Sequence, residues 1–450
     1  MITYSIIQKS QLEGAYRLDA EYYQPEYLDI SKKLNSLKTI SLSEFCRIAD
    51  GDHSKIPGFV DENGVRYLRA KDLQNFFLDD SDPVYVAKDY FQKLKRSYIR
   101  PFDIVLSIMG TVGNLAVVSS EYGVITANRA VSIISPKSQD IFSSYFLAVY
   151  LESKFGVAQR ERESMGGVQQ RVNLDDLGDI KVPVFAKNDQ QLIVDLFDSA
   201  LKQYENSKLF YQQVESLLLK ELGLKDYKVE DELSFAVKYS DIKSANRLDA
   251  EYFQPKYEKL LTYIPKKILV SNVQKFNKRG VQPKYIVDGE IRVVTSKHLG
   301  KNSIDYDNLD KTTVEEWKKN PQAQIELYDI LIYTTGANVG LTNCYLENDK
   351  AIASNHVNIL RIDKLNPIYT AVYLNSILGQ SQVRKLISGS AQAELYPSDI
   401  SKFVIWNAPI EMQQKIADLV VKSHEARKKS KELFDEAKRK VVGMIEKGAN

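Results

Sequence analysis

Arg17-Leu-Asp-Ala-Glu-Tyr-Tyr-Gln-Pro-Glu-Tyr27 recurs as Arg247-Leu-Asp-Ala-Glu-Tyr-Phe-Gln-Pro-Lys-Tyr257, 230 positions further along the chain. Nine of the eleven positions are identical, which marks a tandem duplication. Solenoid repeats run to roughly 20–50 residues; a period of half the chain instead gives two similar halves, expected to be related by a pseudo-twofold. Followed outward at an offset of 226, Arg66-Tyr-Leu-Arg-Ala-Lys71-Asp-Leu73 meets Arg292-Val-Val-Thr-Ser-Lys297-His-Leu299. The same offset pairs Phe91 with Trp317, Ile99 with Ile325 and Asp103-Ile-Val-Leu with Asp329-Ile-Leu-Ile. One added residue in a glycine turn, Gly110-Thr-Val-Gly113 against Gly336-Ala-Asn-Val-Gly340, moves the offset to 227 and sets Asn128 opposite Asn355. Beyond it, Ala148-Val-Tyr-Leu-Glu-Ser153 matches Ala371-Val-Tyr-Leu-Asn-Ser376 at an offset of 223. The offset changes only at loops, where insertions are tolerated.

Each half changes texture once. From about residue 37 to 184, short β-rich runs such as Val65–Tyr67, Ile104–Ile108, Ala116–Val118 and Ala130–Ile134 alternate with turn signals. One helical stretch, Ser143 to Arg162, interrupts them. From Asn188 to Leu222 the pattern becomes a long helix without Pro or Gly, apolar at Ile193, Phe197, Ala200, Tyr204, Tyr211, Val214 and Leu218. The second half repeats it with Ile416, Val420, Phe434, Ala437, Val441 and Met444; Ser207 and Ser430 share a seam position, and Arg427 stands where the first helix has Tyr204. Gly223 ends the first helix, and the charged stretch 225–232 separates the copies. The expected class is α+β: two β-rich globular domains separated by two long antiparallel coiled-coil helices. The expected divisions are an N-terminal segment 1–36, a globular domain 37–186, a helix 187–223, a linker with the repeated segment 224–266, a globular domain 267–408 and a helix 409–450. Packing of each helix on its own domain is the competing expectation.

Bulk composition excludes several classes. The chain is 44% hydrophobic and 27% charged, as in ordinary globular proteins rather than disordered ones. Cys46 and Cys344 alone cannot build a disulfide framework or a zinc cluster. The chain starts without a signal-peptide pattern, and its longest uncharged run, Ile104 to Ser120, is broken by Gly110, Gly113 and Asn114. A cytoplasmic protein is therefore expected. The net charge of +2 does not advertise nucleic-acid binding, although a few basic side chains on one face suffice for phosphate contacts.

The order of β-rich domain, long helix, β-rich domain, long helix, with the Arg-Leu-Asp-Ala-Glu box in each copy, resembles the specificity (S) subunit of type I restriction-modification systems. The resemblance covers essentially the whole chain. Supporting it are the Asp103 and Asp329 segments with their glycine turns, Ser164-Met-Gly-Gly-Val-Gln169 and Ser388-Gly-Ser-Ala-Gln392, and the helix starts Gln190-Gln-Leu-Ile193 and Gln413-Gln-Lys-Ile416. It implies that each globular domain is a target-recognition domain for one half of a split duplex DNA site. It further implies that the helices pack antiparallel as a spacer. A helix of this length, at ~1.5 Å per residue, spans on the order of 50 Å, more than the ~34–36 Å turn of B-DNA. Adenine methyltransferase subunits, two copies of them, and restriction/translocase subunits are the implied partners, with no cofactor held and no catalysis by this chain. The second domain differs from the first, so two different half-sites are expected.

The residues themselves offer little enzymology. Asn407-Ala-Pro-Ile410 lacks the first Pro and the aromatic of an adenine methyltransferase loop and reads as a helix entry. No Gly-x-x-x-x-Gly-Lys-Ser/Thr phosphate loop is present. Glu436-Ala-Lys438 reads as a solvated pair on a helix, and His53, His298, His356 and His424 have no metal-ligand spacing. The glycine turns serve either as turns alone or also as DNA contacts. Arg66, Arg69, Lys71, Arg292 and Lys297 are candidate phosphate contacts. Asn128, Arg129, Asn355, His356, Gln169, Gln170, Arg171 and Gln392 are candidates for base edges, since Asn pairs bidentately with adenine and Arg with guanine. Two alternatives stay open from sequence: a tandem-domain protein-binding scaffold, and the specificity subunit of a related bifunctional system.

Overall fold

Both copies of the repeated box fold alike in the computed structural model, which describes residues 4–10, 12, 17–110, 112–164, 171–388 and 393–448. Arg17 pairs with Asp19 at 2.6 Å and lies 4.8 Å from the Tyr22 ring centroid; Arg247 pairs with Asp249 at 2.7 Å and lies 4.7 Å from that of Tyr252. Pro25 and Pro255 then open the helices Pro25–Asn35 and Pro255–Thr262, a position where proline's missing N–H costs nothing. The box also fastens this segment to a later helix. Arg162 stacks on Tyr22 at 4.0 Å and donates to its carbonyl at 3.1 Å; Arg247 donates to the carbonyls of Leu386 and Ile387. The identities kept in both copies are therefore structural.

The chain divides into two units, Met1–Lys202 with Lys429–Asn450, and Gln203–Lys428. In the first unit a four-stranded antiparallel sheet runs in the order Cys46–Asp50, Val131–Pro136, Ile104–Ser107, Leu115–Val117. A smaller sheet places Val65–Leu68 between Tyr85–Val86 and Thr126–Ala127, with the second pairing parallel. In the second unit the corresponding sheet is Gln274–Arg279, Val357–Ile362, Ile330–Tyr333, Thr342–Cys344. Its companion has four strands, Asp310–Thr312, Ile291–Val294, Ala351–Ala353 and Gln324–Ile325. The repeated aspartates explain themselves here. Phe102 and Tyr328 adopt positive φ (69° and 71°), and the next residue's carboxylate, Asp103 or Asp329, accepts the N–H of Arg100 or Glu326 at 2.8 and 2.7 Å. Those bonds hold a turn that a bulky residue would otherwise avoid. Burial pushes both carboxyl pKa values up.

The single helical stretch expected at Ser143 to Arg162 is in fact two helices, Ser144–Leu151 and Lys154–Glu163. Ser153 caps the second, and Gly156 lets it approach the first: a Cβ there would lie 2.5 Å from the Tyr150 carbonyl oxygen. Pro367–Asn375 and Ile377–Leu386 repeat this break, with Gly379 so close to Leu374 that a Cβ would lie 2.2 Å from its oxygen.

The long helices run Lys187–Glu221 and Ile410–Gly448. Gly223 (φ 69°) ends the first with a Schellman pair, Leu224 N–H to Leu219 O and Gly223 N–H to Lys220 O. In the first unit Ile193, Phe197 and Ala200 from its early turns share one core with Phe434, Ala437, Val441 and Ile445 from the last turns of the second helix, and with Phe146 and Leu147 of the domain. In the second unit Val214 and Leu218 from its late turns share a core with Ile416 and Ala417 from the first turns of the other, and with Tyr369. Early turns against late turns in one unit, and late against early in the other, make the pair antiparallel. The two competing expectations both hold, because the same seam packs on the partner helix and on the domain. The last buried seam residue is Ile445, a step of four from Val441, while Met444 is only half-buried.

Candidate nucleic-acid interface

Most of the basic side chains singled out from sequence are occupied. Arg66, a candidate phosphate contact from sequence, is buried in the strand Val65–Leu68. Its guanidinium donates to the Asp79 carbonyl at 3.0 Å and lies 3.8 Å from the carboxylates of Asp72 and Asp80. A phosphate cannot reach a group so enclosed. Arg69 grips Asp72 at 2.8 Å and the Asp82 carbonyl, and the bond to Asp72 raises its pKa. Arg292 meets Asp349 at 3.0 Å. Lys71 and Lys297, each more than 60% exposed, meet Asp82 and Asp310 at 2.9 Å. The bond from Lys71 holds the Asp82 carboxyl below its usual pKa range. Such exposed pairs are weak, so a phosphate can displace the aspartate.

The turn after the parallel strand corrects the expected alignment. Asn128 N–H donates to Leu68 O at 2.9 Å, and Ser354 N–H donates to Val294 O at 2.9 Å; Leu68 and Val294 are themselves matched residues. Val131 N–H returns to Asn128 O, and Val357 N–H to Ser354 O. Asn128 therefore corresponds to Ser354, Arg129 to Asn355 and Ala130 to His356. The residue gained in the glycine turn is lost again before the strand Ala351–Ala353, which restores the offset of 226. Asn128 spends its side-chain oxygen on Ala130 N–H at 3.1 Å, so it shapes the turn. A glycine abuts this turn in each unit. A Cβ on Gly51 would sit 2.1 Å from Asn128 O, and one on Gly280 2.1 Å from Ala353 O.

A second strand-like segment completes each corner. In the first unit Arg171 bridges Met109, Val172 N–H meets Ile108 O, and Ile108 N–H meets Ala130 O. In the second unit Glu394 bridges Thr335, Leu395 N–H meets Thr334 O, and Thr334 N–H meets His356 O. Arg171 thus corresponds to Glu394, and Asp50 to Arg279 in the adjoining strands, since each pairs with a matched residue, Ser132 or Asn358. Arg129 and Arg171 are exposed, with no ion pair to the described residues. Asp50 is held by His53 at 2.6 Å and Arg96 at 3.0 Å. Across the corresponding positions of the second unit, Arg279 pairs with Glu394 at 2.8 Å. His356 is exposed there, and several enclosed polar atoms have no partner among the described residues: Asn355 Oδ1, Thr334 Oγ1, Thr335 Oγ1 and Ser354 Oγ. Sequence reading missed Asp50, Arg279 and Glu394, although Gly51 and Gly280 directly follow two of them. Gln169, Gln170 and Gln392 lie outside the described residues.

Among the described residues no group of three or more His, Cys, Asp or Glu side chains could hold a metal ion, and no helix is long and apolar enough to cross a membrane. Cys46 is buried, which pushes its thiol pKa to about 12.

Residues 36–216 match the family model described as type I restriction modification DNA specificity domain. Over 158 residues the chain is 30% identical to the type I restriction enzyme EcoBI specificity subunit of Escherichia coli, a match to 34% of this chain and 33% of that one. The chain thus spans about a third of the length of that curated relative. Among solved structures, it is similar to the type I restriction-modification system S subunit from M. genitalium, with a TM-score of 0.43, 12% identity and coverage of 90% of this chain and 95% of that one. It is also similar to the HsdS subunit from Thermoanaerobacter tengcongensis, with a TM-score of 0.28, 16% identity and coverage of 92% and 96%.

Proposed function

We propose that the whole chain is a specificity subunit without catalysis of its own, a reading supported by the match of residues 36–216 to the type I restriction modification DNA specificity domain model. In this reading it recognises a split duplex DNA site, one half per unit, and docks adenine methyltransferase and restriction subunits. The observation that carries the proposal is the duplication at the level of backbone bonds. Each unit presents the same strand-turn corner, with Gly51 or Gly280 pressed against it and different side chains displayed on it. Two similar frames with different exposed groups suit a two-part, non-palindromic target.

The test is transfer of labelled methyl groups from S-adenosylmethionine to duplex DNA. The purified chain alone should transfer none; with an adenine methyltransferase subunit from the same host it should direct methylation to one split motif. Transfer by the chain alone would overturn the non-catalytic reading. Methylation by the partner with the same sequence preference, whether or not this chain is present, would leave a protein-binding scaffold as the better account.

A further inference from the structure

We propose that the turn Asn128-Arg129-Ala130 and its counterpart Ser354-Asn355-His356 are the base-reading loops, with Arg129 taking a guanine in one half-site and Asn355 an adenine in the other. This rests on the DNA-recognition reading above and goes beyond it by assigning residues and bases.

Three observations carry the inference. First, the two turns occupy the same backbone position, as the paired bonds Asn128 N–H to Leu68 O and Ser354 N–H to Val294 O require. Gly51 and Gly280 fix that position by backbone contact, so side chains on the turn can differ without moving it. Second, neither side chain is committed to a charged partner among the described residues. Arg66, Arg69, Lys71, Arg292 and Lys297 all face carboxylates, whereas Arg129 is exposed and unpaired among the described residues. Asn355 is half-buried, and its enclosed Oδ1 has no partner among the described residues.

Third, the surroundings differ in the sense that the two bases demand. Arg171, also exposed and without an ion pair to the described residues, lies on the segment that bridges Met109 at the same corner, so the charge there is cationic. Guanine shows two acceptors, O6 and N7, in the major groove, and a guanidinium fork supplies two donors to them. At the matching place in the second unit Glu394 neutralises Arg279 at 2.8 Å, and enclosed oxygens of Thr335 and Asn355 have no partner among the described residues. Adenine shows one donor and one acceptor, which a side-chain amide meets with its oxygen and its nitrogen.

The experiment is selection from a pool of randomised duplexes by the full chain with its partner subunits, comparing wild type with Arg129→Asn and Asn355→Arg. Arg129→Asn should cut the preference for guanine at one position of one half-site by about ten- to a hundredfold, leaving the other half unchanged. Asn355→Arg should move one adenine of the other half toward guanine. If Arg129→Asn misfolds by circular dichroism, Arg129→Lys keeps the charge and removes the fork, and should relax the same guanine position. Unchanged motifs in variants that still select DNA would overturn the assignment, and a flattened salt dependence with the motif intact would make Arg129 a phosphate contact. A wild-type chain that selects no split motif would instead overturn the function proposed above.

Discussion

Lys71 and Arg66 are five residues apart and look equally suited to phosphate in the sequence, yet their surroundings assign them opposite roles. Lys71 meets Asp82 across solvent, whereas Arg66 is enclosed by Asp72, Asp80 and main-chain carbonyls. Lys71→Ala should leave the denaturant midpoint nearly unchanged and flatten the salt dependence of duplex binding by about one unit of slope. Arg66→Ala should destabilise the chain by about 1–3 kcal/mol, because it leaves the Asp79 carbonyl without its donor, while Arg69 still pairs with Asp72. Chemical denaturation and binding at several salt concentrations check both. An Arg66→Ala chain as stable as wild type but with a flattened salt slope would reverse the two roles. The sequence shows which residues are basic; it does not show which aspartates fold back over them, since those are Asp72, Asp80 and Asp82 in one unit and Asp310 and Asp349 in the other.

At the scale of the element, the helix starts show why Gln recurs at 190 and 413. Gln190 Nε2 donates to the Phe185 carbonyl at 3.0 Å, and Gln413 Nε2 to the Ala408 carbonyl at 2.8 Å; both side chains are buried. Gln413 does more. Its oxygen also accepts, at 2.8 Å, the N–H of Asn366, the residue that caps Pro367–Asn375. Gln190→Ala should cost about 1–3 kcal/mol by leaving a buried carbonyl unpaired, and Gln413→Ala should cost more because it orphans an N–H as well. Equal unfolding midpoints for the two variants would contradict this difference. Periodicity points to both long helices, Lys187–Glu221 and Ile410–Gly448, since a 3.6-residue repeat is written in the sequence itself. It missed the break at Ser153, because that break depends on how closely Gly156 approaches the Tyr150 carbonyl. It also misaligned Asn128 with Asn355, because an insertion and a later deletion cancel, and only the backbone bonds reveal the second.

For the molecule as a whole, the duplication is legible in the sequence apart from the alignment at Asn128, and the proposed reading surface only partly. The repeated box, the aspartate turns and the paired glycines hold the frame, so they are the features both copies keep. The side chains on the turns differ between copies, and no repeat can point to residues that it does not preserve. Arg129 was nonetheless visible as a candidate, while Arg279 and Glu394 became significant only through their place in the fold. The central claim is that this chain chooses the DNA sequence on which its partners act. Methylome sequencing of the host, with its own gene intact and with that gene deleted, tests it most directly. The account predicts one adenine-methylated motif, made of two different half-sites around an unread spacer, that is present in the intact strain and absent from the deletion strain. A methylome unchanged by the deletion would contradict it.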